Sequence, residues 1–421
     1  MSEPRYAWHT EQWFTSSWNF DPSVRDQLHF PSNVQIHDAT LRDGEQQAGV
    51  VFTADDKIAI GEALSAAGIH RIEAGLPAVS PDDEKAIKSL VKRNLDAEIY
   101  AFSRCMLDDV KRAVDCGVKG IVLEIPSSRH LIELGYKWTV ERAIASSVEA
   151  TRYAHEQGLK VTFFPIDATR AAEADYLDLA GAVARDGYLD ALVLVDTFGT
   201  LTPQAVGRFV QATRDRFDVP LETHFHQDYG MGVANSVIAA AAGVATLHVT
   251  VGGIGERAGN APLEETVLAL RTLYNVDTGI LLDQLTSLHR MVMARAGVNQ
   301  PSNRPVTGSR LFNVESGIIS TWVRNVRGVD LTESFPYLPA LVGQDEVQLV
   351  LGKGSGVDSI VDALERVGLT ATPEQVAALL TEVKAASLAE KRLLELDEFE
   401  RMARALLSGA MSGSASAGGR P

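Results

Sequence analysis

The sequence predicts a (β/α)8 barrel, a TIM barrel, with an N-terminal arm and a mostly helical C-terminal subdomain. Between residues 34 and 274, eight short apolar segments alternate with eight segments of helical length. Most of the short segments are apolar throughout, as in strands buried on both faces. Capping residues or glycines often mark the ends of the longer segments. Eight such units indicate a closed barrel; a doubly wound open sheet, which usually has fewer strands, is the alternative.

The elements follow one another in a regular order. The predicted strands are residues 34–38, 70–75, 97–102, 120–125, 159–165, 190–195, 221–225 and 246–251. The predicted helices are residues 55–67, 82–93, 106–116, 139–157, 173–185, 203–216, 233–242 and 263–274. Thr53 with Asp56, and Ser80 before Pro81, are typical of helix starts, and Gly68 is typical of a helix end.

Four segments are predicted along the chain. They are an aromatic arm (1–32), the barrel (33–278), a linker with a helical subdomain (279–407) and a disordered tail of small polar residues (408–421). Within the subdomain, residues 280–297, 357–367 and 373–407 are predicted as helical, whereas residues 300–356 lack clear periodicity. The tryptophans of the arm must bury their rings, either on the chain's own core or on a second subunit.

Composition limits the classes of partner. The net charge of −16 argues against nucleic acid or an anionic membrane, since phosphate binding needs a basic patch. Cys105 and Cys116 form no disulfide framework, which suits a reducing compartment. The sequence shows no apolar core of a signal peptide, and none of its apolar runs approaches the length of a membrane span, about 18 residues. We therefore expect a cytoplasmic protein.

A pair of histidines ends the seventh predicted strand. His224 and His226 are two residues apart, so their imidazoles lie on one face of the strand. Neutral imidazole is the commonest metal ligand in proteins. Barrel closure brings the first strand close to the seventh and eighth, so a carboxylate after strand 1, Asp43 or Asp38, can meet the two rings. One aspartate, two histidines and open positions suit Mg²⁺, Mn²⁺ or Zn²⁺.

Other polar residues cluster after the predicted strands, where barrel enzymes place their active sites. These residues are Arg42, Gln46, Glu73, Arg104, Thr197, Glu256 and Asn260. Arg104 and Arg129 are candidate anion binders, although surface salt bridges are the commoner role for such arginines.

Three segments of the sequence resemble the metal-dependent DRE-TIM metallolyases. They read TLRDGEQ (40–46), ETHFHQDYGMGVAN (222–235) and GGIGERAGN (252–260). That family includes isopropylmalate, homocitrate and citramalate synthases, Re-type citrate synthase and hydroxymethylglutaryl-CoA lyase. The resemblance is strong over residues 34–275 and extends more weakly to about residue 400.

The resemblance implies specific roles. It implies the metal ligands Asp43, His224 and His226, with Asn260 at or near the metal. It implies a catalytic Arg42, and a pocket lined by Glu73 and Thr197, with Thr197 contacting the carboxylate of a 2-oxo acid. Of the remaining candidates, we assign Glu73 and Glu256 to catalysis, and Gln46, Arg104 and Arg129 to substrate binding.

The sequence departs from the family at an acid–base pair. The synthases generally pair a glutamate after strand 5 with a histidine of the C-terminal subdomain, and the matching positions here are Ile166 and Ile319. A third family segment reads LGKGSG (351–356), again without histidine. A Claisen condensation needs a base near the thioester α-carbon and an acid near the new alkoxide. The remaining candidates are Glu73, Asp167, Tyr229 and Glu256.

The function implied is condensation of an acyl-CoA, with acetyl-CoA the expected donor, with a metal-bound 2-oxo acid. The products are a 2-hydroxy-2-alkyl diacid and free CoA. One alternative is a lyase or aldolase that cleaves a related hydroxy acid or hydroxyacyl-CoA. Another is a catalytically silent paralogue that keeps the metal. The aromatic arm and the region 300–356 also indicate a homodimer with exchanged segments.

Overall fold

The structure, a computed structural model, describes residues 6–414, with side chains up to residue 408. The chain divides into two compact units. The barrel unit contains residues 16–301 and 305–307, and the second unit contains residues 6–15, 302–304 and 308–414. These boundaries differ from those predicted, because residues 16–32 and the helix after residue 278 belong to the barrel unit.

The barrel unit contains eight parallel strands that close into a barrel, in the order β1 to β8. The strands are β1 (Gln35–Asp38), β2 (Arg71–Glu73), β3 (Glu98–Arg104), β4 (Gly120–Pro126), β5 (Lys160–Ile166), β6 (Ala191–Asp196), β7 (Leu221–Phe225) and β8 (Thr246–Val249). β8 pairs with β1, so the sheet has no free edge. The predicted TIM barrel is confirmed, and the open doubly wound sheet is excluded.

Helices surround the barrel. They are α1 (Pro22–Arg25), α2 (Ala54–Ala66), α3 (Pro81–Lys92), α4 (Leu107–Cys116), α5 (Val140–Glu156), α6 (Glu173–Asp186), α7 (Pro203–Arg214), α8 (Gly232–Ala241), α9 (Leu263–Tyr274) and α10 (Leu285–Ala296). Thr53 and Asp56 form a capping box at the start of α2, as the sequence predicted. Within residues 6–414, no helix is both long and apolar enough to cross a membrane.

The second unit is mostly helical, with one small parallel sheet. It contains β9 (Asn313–Val314), α11 (Gly317–Val326), β10 (Gln348–Leu349), α12 (Val357–Arg366), α13 (Pro373–Glu390) and α14 (Leu396–Ser414). α11 lies in the region where the sequence showed no periodicity. α14 continues through residues 408–414, which were predicted as disordered tail, and residues 415–421 lie outside the described residues.

The start of the aromatic arm packs within the second unit. Trp13 is buried, and its indole nitrogen donates a hydrogen bond to the carbonyl of Ala7. The backbone N–H of Phe14 donates to the carbonyl of Pro336. Trp18, which follows in the barrel unit, is 79% exposed. The arm therefore buries one ring on its own chain and leaves another in solvent.

Candidate active site

Asp43, His224 and His226 meet at the C-terminal end of the barrel. Asp43 lies in the turn after β1, His224 lies in β7, and His226 directly follows that strand. Asp43 Oδ2 lies 3.1 Å from His224 Nε2 and 3.7 Å from His226 Nε2. All three side chains are buried, and one donor atom from each lies within 4.8 Å of the others. The predicted approach of the β1 turn to the β7 histidines is confirmed.

Asn260 completes this cluster. Its backbone pairs with that of His226 in an isolated bridge. Its Oδ1 is buried and has no hydrogen-bond partner among the described residues. A β-carbon on Gly255 would lie 2.8 Å from Asp43 Oδ1 and closer still to the amide nitrogen of Asn260. Only glycine therefore leaves these polar atoms room to face one another.

The charge states of the cluster suit a divalent cation. Burial would raise the pKa of Asp43, but Arg42 and the two histidines hold it well below its usual value. Burial lowers the pKa of His224 to about 3 and also lowers the pKa of His226. At neutral pH the site thus presents one carboxylate and two neutral imidazoles, the forms that coordinate metals. The residues present fit Mg²⁺, Mn²⁺ or Zn²⁺.

Arg42 lies beside this cluster and is held on several sides. Its Nε donates to Glu73 Oε1, and its Nη1 donates to Asp43 Oδ2 at 3.0 Å and to Gln46 Oε1 at 3.3 Å. Its guanidinium carbon lies 4.0 Å from the centroid of the Phe102 ring. Its Nη2 is buried and has no hydrogen-bond partner in the described part of the chain. One donor of a fixed guanidinium therefore stays available.

Glu73 forms an ion pair with Arg42. Its burial would raise its pKa, but Arg42 and then His37 lower that pKa to about 2. Glu73 Oε2 lies 3.0 Å from His37 Nε2. A carboxylate with so low a pKa is a weak base.

A buried polar layer continues behind Glu73 inside the barrel. The ring of His37 stacks on His248 at 4.0 Å, and His248 Nε2 lies 2.8 Å from Glu222 Oε2. Arg71 Nη1 lies 2.5 Å from Glu222 Oε1. This layer was not predicted from the sequence, although its signal was present as charged residues within apolar strands.

Thr197 and Glu256 lie in loops at the same end of the barrel. Thr197 Oγ1 accepts a hydrogen bond from the backbone N–H of Asp167 at 2.7 Å. The carbonyl of Thr197 accepts a hydrogen bond from Arg257, which also binds Asp228 Oδ1 at 2.9 Å. The backbone N–H of Glu256 lies 3.5 Å from Asp43 Oδ1, whereas its carboxylate is 53% exposed and lies 3.4 Å from Arg257 Nη1.

The structure does not bring Arg104 and Arg129 to the metal cluster. Arg104 is half-exposed and forms a salt bridge with Asp109 at 2.6 Å. Arg129 is also half-exposed and lies 3.4 Å from both Glu133 and Asp175. Local acidic residues thus neutralise both predicted anion binders.

A second feature missed from the sequence is a glutamate inside β4. Glu124 is partly buried, and its Oε1 accepts a hydrogen bond from the hydroxyl of Tyr136 at 2.8 Å. Its burial raises its pKa, while Arg42 and Arg104 act in the opposite direction. The apolar segment that surrounds it, IVLEI (121–125), was the signal in the sequence.

Comparison with known proteins places the chain among synthases. Homocitrate synthase AksA of Methanothermobacter thermautotrophicus is 36% identical over 85% of this chain and 90% of its own length. A probable 2-isopropylmalate synthase of Methanopyrus kandleri is 38% identical over 84% of this chain and 70% of its own length. A putative (R)-citramalate synthase, CimA, of Archaeoglobus fulgidus is 36% identical over 86% of this chain and 73% of its own length.

Solved structures agree with the barrel fold. The HMG-CoA lyase of Bacillus subtilis superposes with a TM-score of 0.59 at 22% identity, over 65% of this chain and 96% of the lyase. At this identity the likeness concerns the fold alone. The HMGL-like family model matches residues 33–292, which include every proposed metal ligand. The chain therefore belongs to the HMGL-like family, as its DRE-TIM motifs implied.

Proposed function

We propose that this protein condenses an acyl-CoA, with acetyl-CoA the expected donor, with a metal-bound 2-oxo acid. The products are a 2-hydroxy-2-alkyl diacid and free CoA. The observation that carries the proposal is the contact of Arg42 with Asp43 beside His224 and His226. Relatives named as homocitrate, isopropylmalate and citramalate synthases, similar over most of the chain, support it.

Asp43, His224 and His226 would hold the divalent cation, with Asn260 beside them. Such a cation polarises the keto group of a chelated 2-oxo acid. The unpartnered Nη2 of Arg42 would donate to the alkoxide that develops as the new carbon–carbon bond forms. Glu73 would then be a positioning residue, because its ion pair with Arg42 fixes the guanidinium.

The remaining assignments are also part of the proposal. Thr197 would contact the carboxylate of the 2-oxo acid, and Gln46 would hold the Nη1 group of Arg42. Glu256, through its backbone beside Asp43, would order the loop over the site. Arg104 and Arg129 would meet an anionic part of a substrate only by exchanging their present acidic partners.

We further propose a cytoplasmic homodimer. Two buried, unpaired cysteines suit a reducing compartment. Exposed Trp18 and Trp322 offer apolar surface that a second subunit could cover. Sedimentation velocity at several protein concentrations tests the dimer.

Release of free CoA tests the proposed reaction. The full chain with Mn²⁺, acetyl-CoA and a panel of 2-oxo acids is followed with a thiol reagent. We expect release that depends on both the metal and one class of 2-oxo acid. Release of a 2-oxo acid or a CoA ester from hydroxy acids, without condensation, would instead favour the lyase. Metal binding without either reaction would favour the silent paralogue.

A further inference from the structure

The condensation needs a group that transfers a proton. Two of the candidates predicted from the sequence, Glu73 and Asp167, are held by ion pairs instead. Glu73 is ion-paired with Arg42. Asp167 forms a salt bridge with Arg170 at 2.6 Å and accepts a hydrogen bond from Ser128. Burial would raise the pKa of Glu73, but Arg42 lowers it to about 2, so Glu73 is a weak base. Both carboxylate oxygens of Asp167 are already occupied by its two contacts.

The other two candidates face solvent. Tyr229 is 72% exposed, and the Glu256 carboxylate is about half exposed and lies beside Arg257. At the matching family position after strand 5 stands Ile166, which packs against the apolar side chains of the barrel interior. The proton-transfer group must therefore come from another residue.

Glu124 faces the interior of the barrel. Val122, two residues earlier on β4, packs with Tyr100 and Phe164 in the interior, and alternate residues of a strand share one face. Glu124 is also the register partner of Phe164 on β5. Its side chain therefore projects towards the mouth of the barrel, one layer above Val122.

This position adjoins the metal cluster. The ring of Phe164 lies 4.9 Å from that of His224, and its centroid is 5.8 Å from the guanidinium carbon of Arg42. Glu124 is thus one strand away from Phe164, whose ring lies beside both His224 and Arg42. No arginine or lysine forms a salt bridge with Glu124 among the described residues.

We propose that Glu124 is the acid–base group of the condensation and that Tyr136 positions it. This inference rests on the proposed function. The Glu124 carboxylate takes a proton from the methyl carbon of acetyl-CoA, leaving an enolate. The enolate carbon bonds to the keto carbon of the 2-oxo acid as the carbonyl π bond breaks. The alkoxide oxygen then takes the proton back from Glu124, and water later cleaves the thioester.

The surroundings of Glu124 suit both halves of this transfer. Burial and Glu256 raise the pKa of Glu124, while the Tyr136 hydrogen bond, Arg42 and Arg104 lower it. A raised pKa makes a carboxylate a better base at neutral pH. Cys105, the other titratable neighbour that faces Tyr136, is buried, and its burial raises its pKa, so it stays a neutral thiol.

The test compares four full-length proteins loaded with Mn²⁺: the parent, Glu124→Gln, Tyr136→Phe and the control Glu149→Gln. Glu149 lies on the outer, exposed face of α5. Two readouts are followed, release of CoA and exchange of the acetyl-CoA methyl protons with deuterated water. We expect Glu124→Gln to lower both rates about 10²- to 10⁴-fold, with Mn²⁺ affinity unchanged. Parent rates in a folded Glu124→Gln protein would overturn the inference.

Tyr136→Phe separates positioning from chemistry. Loss of its hydrogen bond raises the pKa of Glu124, so the acid limb of the kcat/KM profile should move to higher pH. An unmoved limb would refute the role of Tyr136. If Glu124→Gln does not fold, Glu124→Asp, which withdraws the carboxyl by one carbon, takes its place, and parent kcat in that variant overturns the inference.

The two readouts keep this inference separate from the proposed function. A parent that exchanges methyl protons but releases no CoA refutes the condensation, and Glu124 is then judged by the exchange alone. A parent that releases CoA while Glu124→Gln does so equally fast refutes only Glu124. A parent that does neither overturns both.

Discussion

Gly255 lies against two proposed metal-site residues, Asp43 and Asn260. A β-carbon at Gly255 would stand 2.8 Å from Asp43 Oδ1 and closer still to the Asn260 amide nitrogen. Ordinary contact would require the Asn260 amide to move by about 1 Å. Metal sites tolerate deviations of only about 0.2 Å in ligand distance. The single methyl group added by Gly255→Ala should therefore displace the proposed metal ligands.

We expect the Kd for Mn²⁺ to rise about 10- to 100-fold in Gly255→Ala, which corresponds to about 1.4–2.7 kcal/mol. The backbone at Gly255 has φ +152°, so alanine also costs about 1–3 kcal/mol of strain. Gly158→Ala is the matched control, because Gly158 has φ +81° and no atom lies within 4 Å of the place that its new methyl group would occupy. Isothermal titration calorimetry with Mn²⁺ gives both values of Kd. Parent affinity in a folded Gly255→Ala protein would refute the ligand geometry.

Three further predictions concern buried polar side chains. Lys57 is buried beside Asp83, so Lys57→Met should lower the free energy of unfolding, measured in urea, by about 3–5 kcal/mol. The double variant Lys57→Met/Asp83→Asn should recover much of this loss. An equal loss in the single and double variants contradicts the prediction. Burial lowers the pKa of His37 to about 4. As the pH falls, His37 is therefore protonated in the unfolded chain before it is protonated in the folded one. The free energy of unfolding should fall by up to about 3 kcal/mol between pH 6.5 and 4, and it should fall less steeply in His37→Gln. Parallel stability curves for the two proteins would refute this prediction. His226→Ala should lose its bound metal by elemental analysis, and parent metal content would contradict the ligand assignment.

Much of the barrel could be predicted because buried strands have a recognisable local composition of continuous apolar residues. The predicted strand 221–225 and helix 263–274 match β7 and α9 at both ends. Helix α11 was missed because it is only ten residues long and lies in a segment rich in Gly, Pro, Ser and Asn, a composition that favours loops. A disordered tail was predicted from residue 408, whereas α14 extends to Ser414, because a helix of small residues resembles disorder in composition.

The metal cluster was predictable because strand alternation and barrel closure turn sequence spacing into distance. Spacing identified the two histidines but left Asp43 and Asp38 as alternatives, and the family resemblance then selected Asp43. Arg104 and Arg129 form salt bridges with acids nearby in sequence, Asp109 and Glu133, which is the alternative that the sequence already offered to anion binding. The hydrogen bond from Tyr136 to β4 depends on the path of the loop between them, which the sequence does not specify.

Anomalous diffraction at the manganese edge from Mn²⁺-soaked crystals tests the central claim most directly. We expect one peak within about 2.3 Å of a carboxylate oxygen of Asp43 and of ring nitrogens of His224 and His226. The second buried group of metal-binding type, His37 with Glu222 and His248, should show none. A peak at that deeper group, or no peak at Asp43, would contradict the proposed metal site.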